Sequence, residues 1–392
     1  MVVAVDTLFM SARFRRTGTG VYLRHLLSEW IKGVGQEFPG IELHGFSHSG
    51  ANWARNRFRS PLLHVHETRA LENKGLWLLG GMALQSAKIG ADLVFLPTAQ
   101  HSLPGWSASV VATILDAIPK RLPSGMNRSS ARLHAMTWIN ARLARRIITI
   151  SSWSKRDLVE IYGVKPERVH VTYLGYDSDL FNPSEADPES SADLLRRLGI
   201  QQPFVLHHGM VQLRKNVHRL IQAWELIHET SPGFDTQLVL AGPMGHGHEE
   251  ILKVHNAAPH REKIILTGEL SDAELALLIK NATLCVIPSL YEGFCLPMVE
   301  AMACGVPTVV ANTSCLPEIS GNVLEYFDPA SIEEMAGTMR RALEDSCLRD
   351  RLRSKGLARA AEFSWQRCAR ETLQILNETF NDSGRKPTQR DA

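Results

Sequence analysis

Short, near-continuous apolar runs recur along this chain, each closed by a turn and followed by an amphipathic stretch. Val2–Val5, Leu93–Leu96, Val110–Leu115 and Ile147–Ile150 are such runs in the first half. A strand apolar on both sides has both faces covered, which is the signature of a parallel strand flanked by helices. Between them, Gly20–Lys32 carries Val21, Leu23, Leu26, Leu27 and Trp30 at helical spacing. Ser154-Lys155-Arg156-Asp157 reads as a capping box opening a helix over 155–162. The second half repeats the rhythm, with strands over 204–207, 237–241, 263–267, 284–288 and 307–311. Helices are expected over 216–228, 272–280 and 297–304, and near 331–345 and 365–380. This alternation predicts an α/β chain built from two doubly wound, Rossmann-like domains.

The 392 residues exceed one ordinary core and suit two domains. Residues 175–200, rich in Asp, Ser and Pro, read as the inter-domain linker leading into a short helix. The expected organisation is therefore 1–175, 176–365, and a C-terminal segment 366–392 whose helix returns to the first domain before a disordered tail. No apolar run reaches membrane-spanning length, and the N-terminal apolar stretch precedes its arginines, the reverse of a secretory signal. The expected location is the cytoplasm. Six cysteines without a C-x-x-C pair read as reduced thiols. His246-Gly247-His248 follows a turn and reads as a loop rather than a metal site.

Charge is divided unevenly. Residues 1–175 hold 22 Lys+Arg against 11 Asp+Glu, leaving 21 against 30 in the remainder. A basic half points to an anionic partner, or to solvated helix faces. Lys120, Arg121, Arg128, Arg132, Arg142, Arg145 and Arg146 crowd one loop and helix beside Trp138 and Leu143. That surface is expected to hold a lipid diphosphate at an anionic membrane face, with an ordinary solvated helix as the alternative.

Three stretches carry candidate chemistry. Ser289–Pro307 passes from a strand through Gly293 into a helix with Pro297 in its first turn, and ends at Gly305. Backbone amides around 294–298 would then face an anion such as a diphosphate. Glu292 and Glu300 flank that site, an arrangement that suits gripping hydroxyl groups beside the phosphates. In Leu206–Asn216 a strand ends at Gly209, and Arg214, Lys215 and Asn216 open the next helix, where cations offset charge on a leaving diphosphate. Thr17-Gly18-Thr19-Gly20 is a glycine loop after the first strand, but Leu23 stands where a dinucleotide fingerprint wants a third small residue.

EGFCLPMVEAMACGVP resembles the E-x7-E signature of family-4 retaining glycosyltransferases of GT-B architecture. GMVQLRKN resembles their diphosphate-binding segment, and TGTGVYLRHLL, ITISSWSKRDL and TGELSDAELALLIKNATLCVIPS extend the likeness over about residues 3–365. The resemblance implies that Glu292 contacts donor-sugar hydroxyls and Glu300 the nucleotide ribose. It implies that Lys215 and Arg214 bind the diphosphate, with Gly209 at the head of that segment. By the same resemblance, Gly293, Phe294, Cys295 and Leu296 reach sugar and phosphate, and Gly268 and Leu270 hold the base. Gly18 and Gly20 approach the donor phosphates. Such enzymes need no metal or other cofactor.

The pattern departs at Met210, where an arginine is common, at Cys295, where glycine is common, and at Leu115, where TILDAIP lacks a family histidine. Asp116 is expected to position acceptor or sugar, or to be a turn carboxylate. The implied activity is transfer of a mannose- or 6-deoxyhexose-like sugar, with GDP preferred as carrier, to a glycan or lipid-linked acceptor of cell-envelope polysaccharide. The rival readings are a non-catalytic sugar-nucleotide-binding subunit, a GT-B epimerase or phosphorylase, and a nicotinamide dehydrogenase.

Overall fold

The computed structural model describes residues 1–10, 18–47, 60–68, 77–98, 108–121 and 128–384. Two compact units divide the chain, residues 1–175 with 364–392, and residues 176–363. The C-terminal helix therefore belongs to the first unit.

That unit is built on a seven-stranded sheet. Its strands are β1 (Val2–Val5), β2 (Glu42–Ser47), β3 (Leu63–Glu67), β4 (Leu93–Leu96), β5 (Ser109–Thr113), β6 (Arg146–Thr149) and β7 (Val169–Val171). Their order is β3-β2-β1-β4-β5-β6-β7 and every pairing is parallel. β1 and β4 are buried throughout, as their uninterrupted apolar sequence requires. β2, β3 and β7 were not legible, because Glu42-Leu43-His44 and Leu63-His64-Val65-His66 alternate polar with apolar residues.

The helix Trp365–Asn381 packs against the helix Gly18–Lys32. Trp30 is fully buried there and donates from Nε1 to the Ala369 carbonyl at 2.9 Å. Arg370 clamps Glu37 with bonds of 2.6 and 2.8 Å. Gly175 lets the chain pass that helix start, since a Cβ there would lie 2.0 Å from the Trp365 nitrogen. The helix expected over 155–162 runs from Ser152 to Tyr162, and its N-cap is Ser151, whose Oγ accepts from Ser154 N at 3.0 Å. Ser154-to-Asp157 is thus no capping box. Asp157 is instead buried and paired with Arg121.

The second unit has a six-stranded parallel sheet. β8 (Phe204–His208), β9 (Gln237–Ala241), β10 (Ile264–Gly268), β11 (Leu284–Ile287), β12 (Thr308–Ala311) and β13 (Glu325–Phe327) lie in the order β10-β9-β8-β11-β12-β13. The short helix expected at the end of the linker segment is Pro188–Leu198, capped by Asp187. The strand order reverses between β8 and β11. In an open parallel sheet, the crevice beyond the carboxyl ends of two such strands is where ligands bind.

Candidate active site

Both segments with candidate chemistry in the second unit leave the sheet at this reversal, one after β8 and one after β11. β8 ends at His208 and the chain turns at Gly209, which has φ 116°. The neighbouring strand end presses against that turn, so a Cβ on Gly242 would sit 2.0 Å from the Gly209 carbonyl oxygen. A single helical turn, Leu213–Lys215, then closes at Asn216, itself left-handed at φ 60° and held by its Nδ2 bond to the Pro329 carbonyl at 2.8 Å. The backbones of the two segments are joined by Leu290 N donating to the Arg214 carbonyl at 2.9 Å.

Their side chains converge as well. Lys215 Nζ lies 2.6 Å from Glu292 Oε1, and Arg214 Nη1 lies 3.0 Å from Glu292 Oε2. The same Arg214 nitrogen donates to the Tyr291 carbonyl at 2.6 Å. Lys215 and Glu292 are only 7% and 6% exposed. Burial raises the Glu292 carboxyl pKa, but the Arg214 and Lys215 charges outweigh it and hold the group at about 2. The site is therefore one permanent carboxylate between two cations, with an excess of positive charge. Glu292 N donates to Ser314 Oγ at 3.0 Å, which fixes the acidic residue from a third segment.

Glu300 lies one turn into the helix Leu296–Ala303, its Oε2 3.4 Å from His208 Nε2. Beside it, burial drives His207 down to about 3, and its Nδ1 donates to the Val286 carbonyl at 3.1 Å. Gly209 adjoins both halves, with the Cγ of Pro297 3.6 Å and Lys215 Nζ 3.9 Å from where its Cβ would stand. Gly293, Phe294 and Cys295 are buried, and Leu296 is half-buried. Cys295 has φ 74°, a conformation that suits glycine and strains a cysteine by about 1–3 kcal/mol. Burial pushes its thiol up to about 12, so it stays protonated.

The amide set around 294–298 is smaller than the sequence suggested. Pro297 has no N–H, and Met298 N donates to the Cys295 carbonyl at 3.1 Å. Gly305 follows rather than forms the helix cap, with Cys304 at the cap and Gly305 left-handed at φ 69°. Gly268 ends β10 at φ 68° and accepts from Gly242 N at 3.0 Å, with Leu270 half-buried just beyond.

Three expected residues lie in the first unit instead. Gly18 and Gly20 are not a loop but the first turn of the helix Gly18–Lys32, while Thr17 lies outside the described residues. Asp116 Oδ1 accepts from Ile118 N at 3.1 Å, a turn-capping role. The basic cluster is largely committed to its own fold. Arg121 pairs with Asp157 and Glu160, Arg146 with Glu378 and Asp382, and Arg145 bonds the Asp382 carbonyl. Arg142 stacks 4.2 Å over Trp138, which with Leu143 is exposed. The side chains of Arg128 and Arg132 lie outside the described residues. His208 and Ser314 were missed, while Asn216, expected with the two cations to open the next helix, is the residue that precedes it. Only a histidine closing an otherwise apolar strand could have marked the first, and nothing in the local sequence marks the second.

Residues 194–359 match the family described as "Glycosyl transferases group 1", and residues 17–180 match "Glycosyltransferase Family 4". The MMP alpha-(1->4)-mannosyltransferase of Mycolicibacterium hassiacum is 32% identical over 371 residues, covering 92% of this chain and 80% of that protein. The chain belongs to glycosyltransferase family 4. It is also 31% identical over 232 residues to O-antigen chain mannosyltransferase B of Escherichia coli, a match spanning 59% of this chain and 60% of the relative.

Among solved structures, Anabaena Alr3699/HepE in complex with UDP superimposes with TM-score 0.71 at 18% identity, covering 96% and 99% of the two chains. Sucrose-phosphate synthase from Thermosynechococcus elongatus gives 0.73 at 18%, covering 97% and 100%. These likenesses give the GT-B fold. Among the described residues, no helix of this glycosyltransferase is long and apolar enough to cross a membrane.

Proposed function

We propose that this glycosyltransferase moves a mannose- or 6-deoxyhexose-like sugar from a nucleoside-diphosphate sugar, with retained anomeric configuration, to a glycan or lipid-diphosphate-linked acceptor of the cell envelope. GDP is the preferred carrier. The observation that carries the reading is the Arg214–Glu292–Lys215 cluster at the strand-order reversal. Two cations fixed on one carboxylate are already oriented and desolvated before any donor arrives. Their positive excess offsets the charge that grows on a departing diphosphate, which supplies without a metal the stabilisation that a bound cation provides elsewhere. Both mannosyltransferase relatives support the sugar assignment, and the O-antigen chain relative supports the envelope acceptor.

In this reading Glu292 keeps the cations in place and meets the donor-sugar hydroxyls. Gly293, Phe294, Cys295 and Leu296 shape the floor, Glu300 takes the ribose hydroxyls, and the Gly268–Leu270 loop holds the base. Asp116 orients the acceptor. The acceptor hydroxyl attacks on the face the diphosphate leaves, passing its proton to a donor phosphate oxygen, so no side chain becomes covalently attached. The exposed Trp138–Arg142–Leu143 surface contacts an anionic membrane at the cytoplasmic face.

A thermal-shift series with GDP, UDP, ADP and dTDP, on wild type and Lys215→Ala, tests the donor site. A ligand at 100 times its dissociation constant adds about 2.7 kcal/mol of stability. Stabilisation by one diphosphate, abolished in the variant, selects the base. Transfer from its sugars in EDTA, with the product anomer read by NMR, then tests metal independence and retention. Silence toward every diphosphate overturns the site. Pelleting with anionic vesicles that ignores both salt and lipid charge overturns the membrane contact.

A further inference from the structure

The polar residues that hid β2 and β3 meet on one face of the first unit's sheet. The parallel register sets His44 opposite His64 and Phe46 opposite His66. Since side chains alternate along a strand, Glu42, His44, His64 and His66 share that face. Ligand atoms of Glu42, His44 and His64 all lie within 4.8 Å of one another. His44 is 5% exposed, whereas Glu42 and His64 are exposed.

The hydrogen bonding of His44 leaves one nitrogen facing the group. His44 Nδ1 and His66 Nε2 are 2.8 Å apart. When Nδ1 donates to His66, the lone pair of His44 Nε2 is free to coordinate. That Nε2 atom is buried without a hydrogen-bond partner, and the Glu42 carboxylate stands 3.6 Å away. A buried imidazole nitrogen with no partner is costly unless something meets it. A metal-ligating histidine ordinarily donates its other N–H to an acceptor that fixes tautomer and ring plane, and His66 is placed to be that acceptor.

We propose that His44 Nε2, His64 and Glu42 bind a divalent cation of the zinc class, with His66 orienting His44 and water completing the coordination. Two imidazoles and one carboxylate suit zinc, cobalt or nickel rather than calcium or magnesium. Ligands of a tetrahedral zinc stand roughly 3.4 Å apart for bonds of about 2.1 Å. The group is therefore somewhat open, and the exposed Glu42 and His64 side chains can rotate inward while His44 stays fixed. β3 is the sheet's edge strand, so the ion would tie it to β2 by side chains as well as by the ladder. The site lies outside the second unit's donor chemistry and is independent of the activity proposed for it. Sequence spacing concealed it because the ligands come from two strands twenty residues apart.

Full-length protein stripped with EDTA and dialysed would be titrated with zinc by calorimetry, and with cobalt by visible absorption. The expected result is one ion per chain, a tetrahedral cobalt band, and a higher melting temperature with zinc. His64→Ala should abolish the band, and Glu42→Gln should weaken binding at least about tenfold. His66→Ala should cost roughly 10–100-fold in affinity, as loss of an orienting partner does. His248→Ala, in the second unit, should bind as wild type does. Without metal, His64→Ala and Glu42→Gln should melt with wild type, since both residues are exposed. Undiminished binding in His64→Ala, loss in His248→Ala, or no saturable uptake by wild type would each overturn the proposal. The last outcome would leave a purely hydrogen-bonded histidine stack.

Discussion

The two sheets share one plan and spend it differently. In each, the strand order reverses beside the first strand of its unit, between β1 and β4 and between β8 and β11. Beyond β1 the first unit buries Asp6, which accepts from Trp77 Nε1 at 3.2 Å and Leu8 N at 3.0 Å. Beyond β8 the second unit buries a carboxylate with two cations. The first arrangement is a satisfied turn. The second concentrates charge where little water reaches it, and desolvating such a group costs more than packed apolar residues would. A lysine and an arginine held on a buried carboxylate therefore need a reason beyond packing. The difference marks the second corner as the place where charge is used.

Activity gives the largest contrast. Lys215→Ala should lower transfer by about 10²–10³-fold, as removal of one preorganised group facing developing charge does. It should also destabilise the second unit by about 3 kcal/mol, since Glu292 keeps only Arg214. Replacing Lys215 by Met together with Glu292 by Leu should recover most of that stability and none of the activity, measured by urea melts and turnover. If the double variant stays as unstable as the single, the pair is structural and the contrast fails.

An apolar deletion in the first unit provides the counterpart. Trp30→Ala removes a fully buried ring that bonds Ala369 and packs edge-on to Phe95 at 5.9 Å. It should cost about 3–5 kcal/mol. Diphosphate binding measured well below the lowered melting temperature should persist. Equal loss of both would mean that the donor site depends on the first unit's core.

Acid should separate the units too. The Glu292 carboxyl is held at about 2 in the folded chain and near 4.5 when unfolded. The unfolded state therefore binds the proton first, so the contribution is complete above about pH 4.5 and disappears as pH falls toward 2. Its size is of order 3 kcal/mol. Glu292→Gln should flatten the stability-against-pH curve in that window only. An unchanged slope between pH 5 and 3 would show that the carboxylate is not held by its cations.

What the sequence disclosed follows the same division. Strands apolar on both faces, β1, β4, β9 and β11, were legible to within a residue, because full burial leaves one kind of pattern. β2, β3 and β7 were not, since half-polar strands look like loops when read singly. At the candidate site, Lys215, Arg214, Glu292 and Glu300 were found because their motifs are local. Their mutual pairing was not, because it joins segments 77 residues apart. The arginines at 121, 145 and 146 read as functional surface, and their partners at 157, 160, 378 and 382 are distant in sequence. Residue type reports that a charge exists, while long-range pairing decides whether it is free.

The smallest contrast lies in two serine caps. Ser151 caps the helix Ser152–Tyr162 from a fully buried position, and its hydroxyl also donates to Ser154 Oγ at 3.0 Å. Ser271 caps Asp272–Lys280 at the surface, in a reciprocal box where Glu274 Oε2 accepts from Ser271 N at 2.8 Å. Alanine at 271 frees a donor that water can satisfy, so the cost should be about 0.5–1 kcal/mol. Alanine at 151 strands Ser154 N where water is excluded, so the cost should approach about 2 kcal/mol. Urea melts of the two variants compare them directly. Equal costs would mean that water reaches the end of β6, and that the first unit is less tightly closed there than its burial implies.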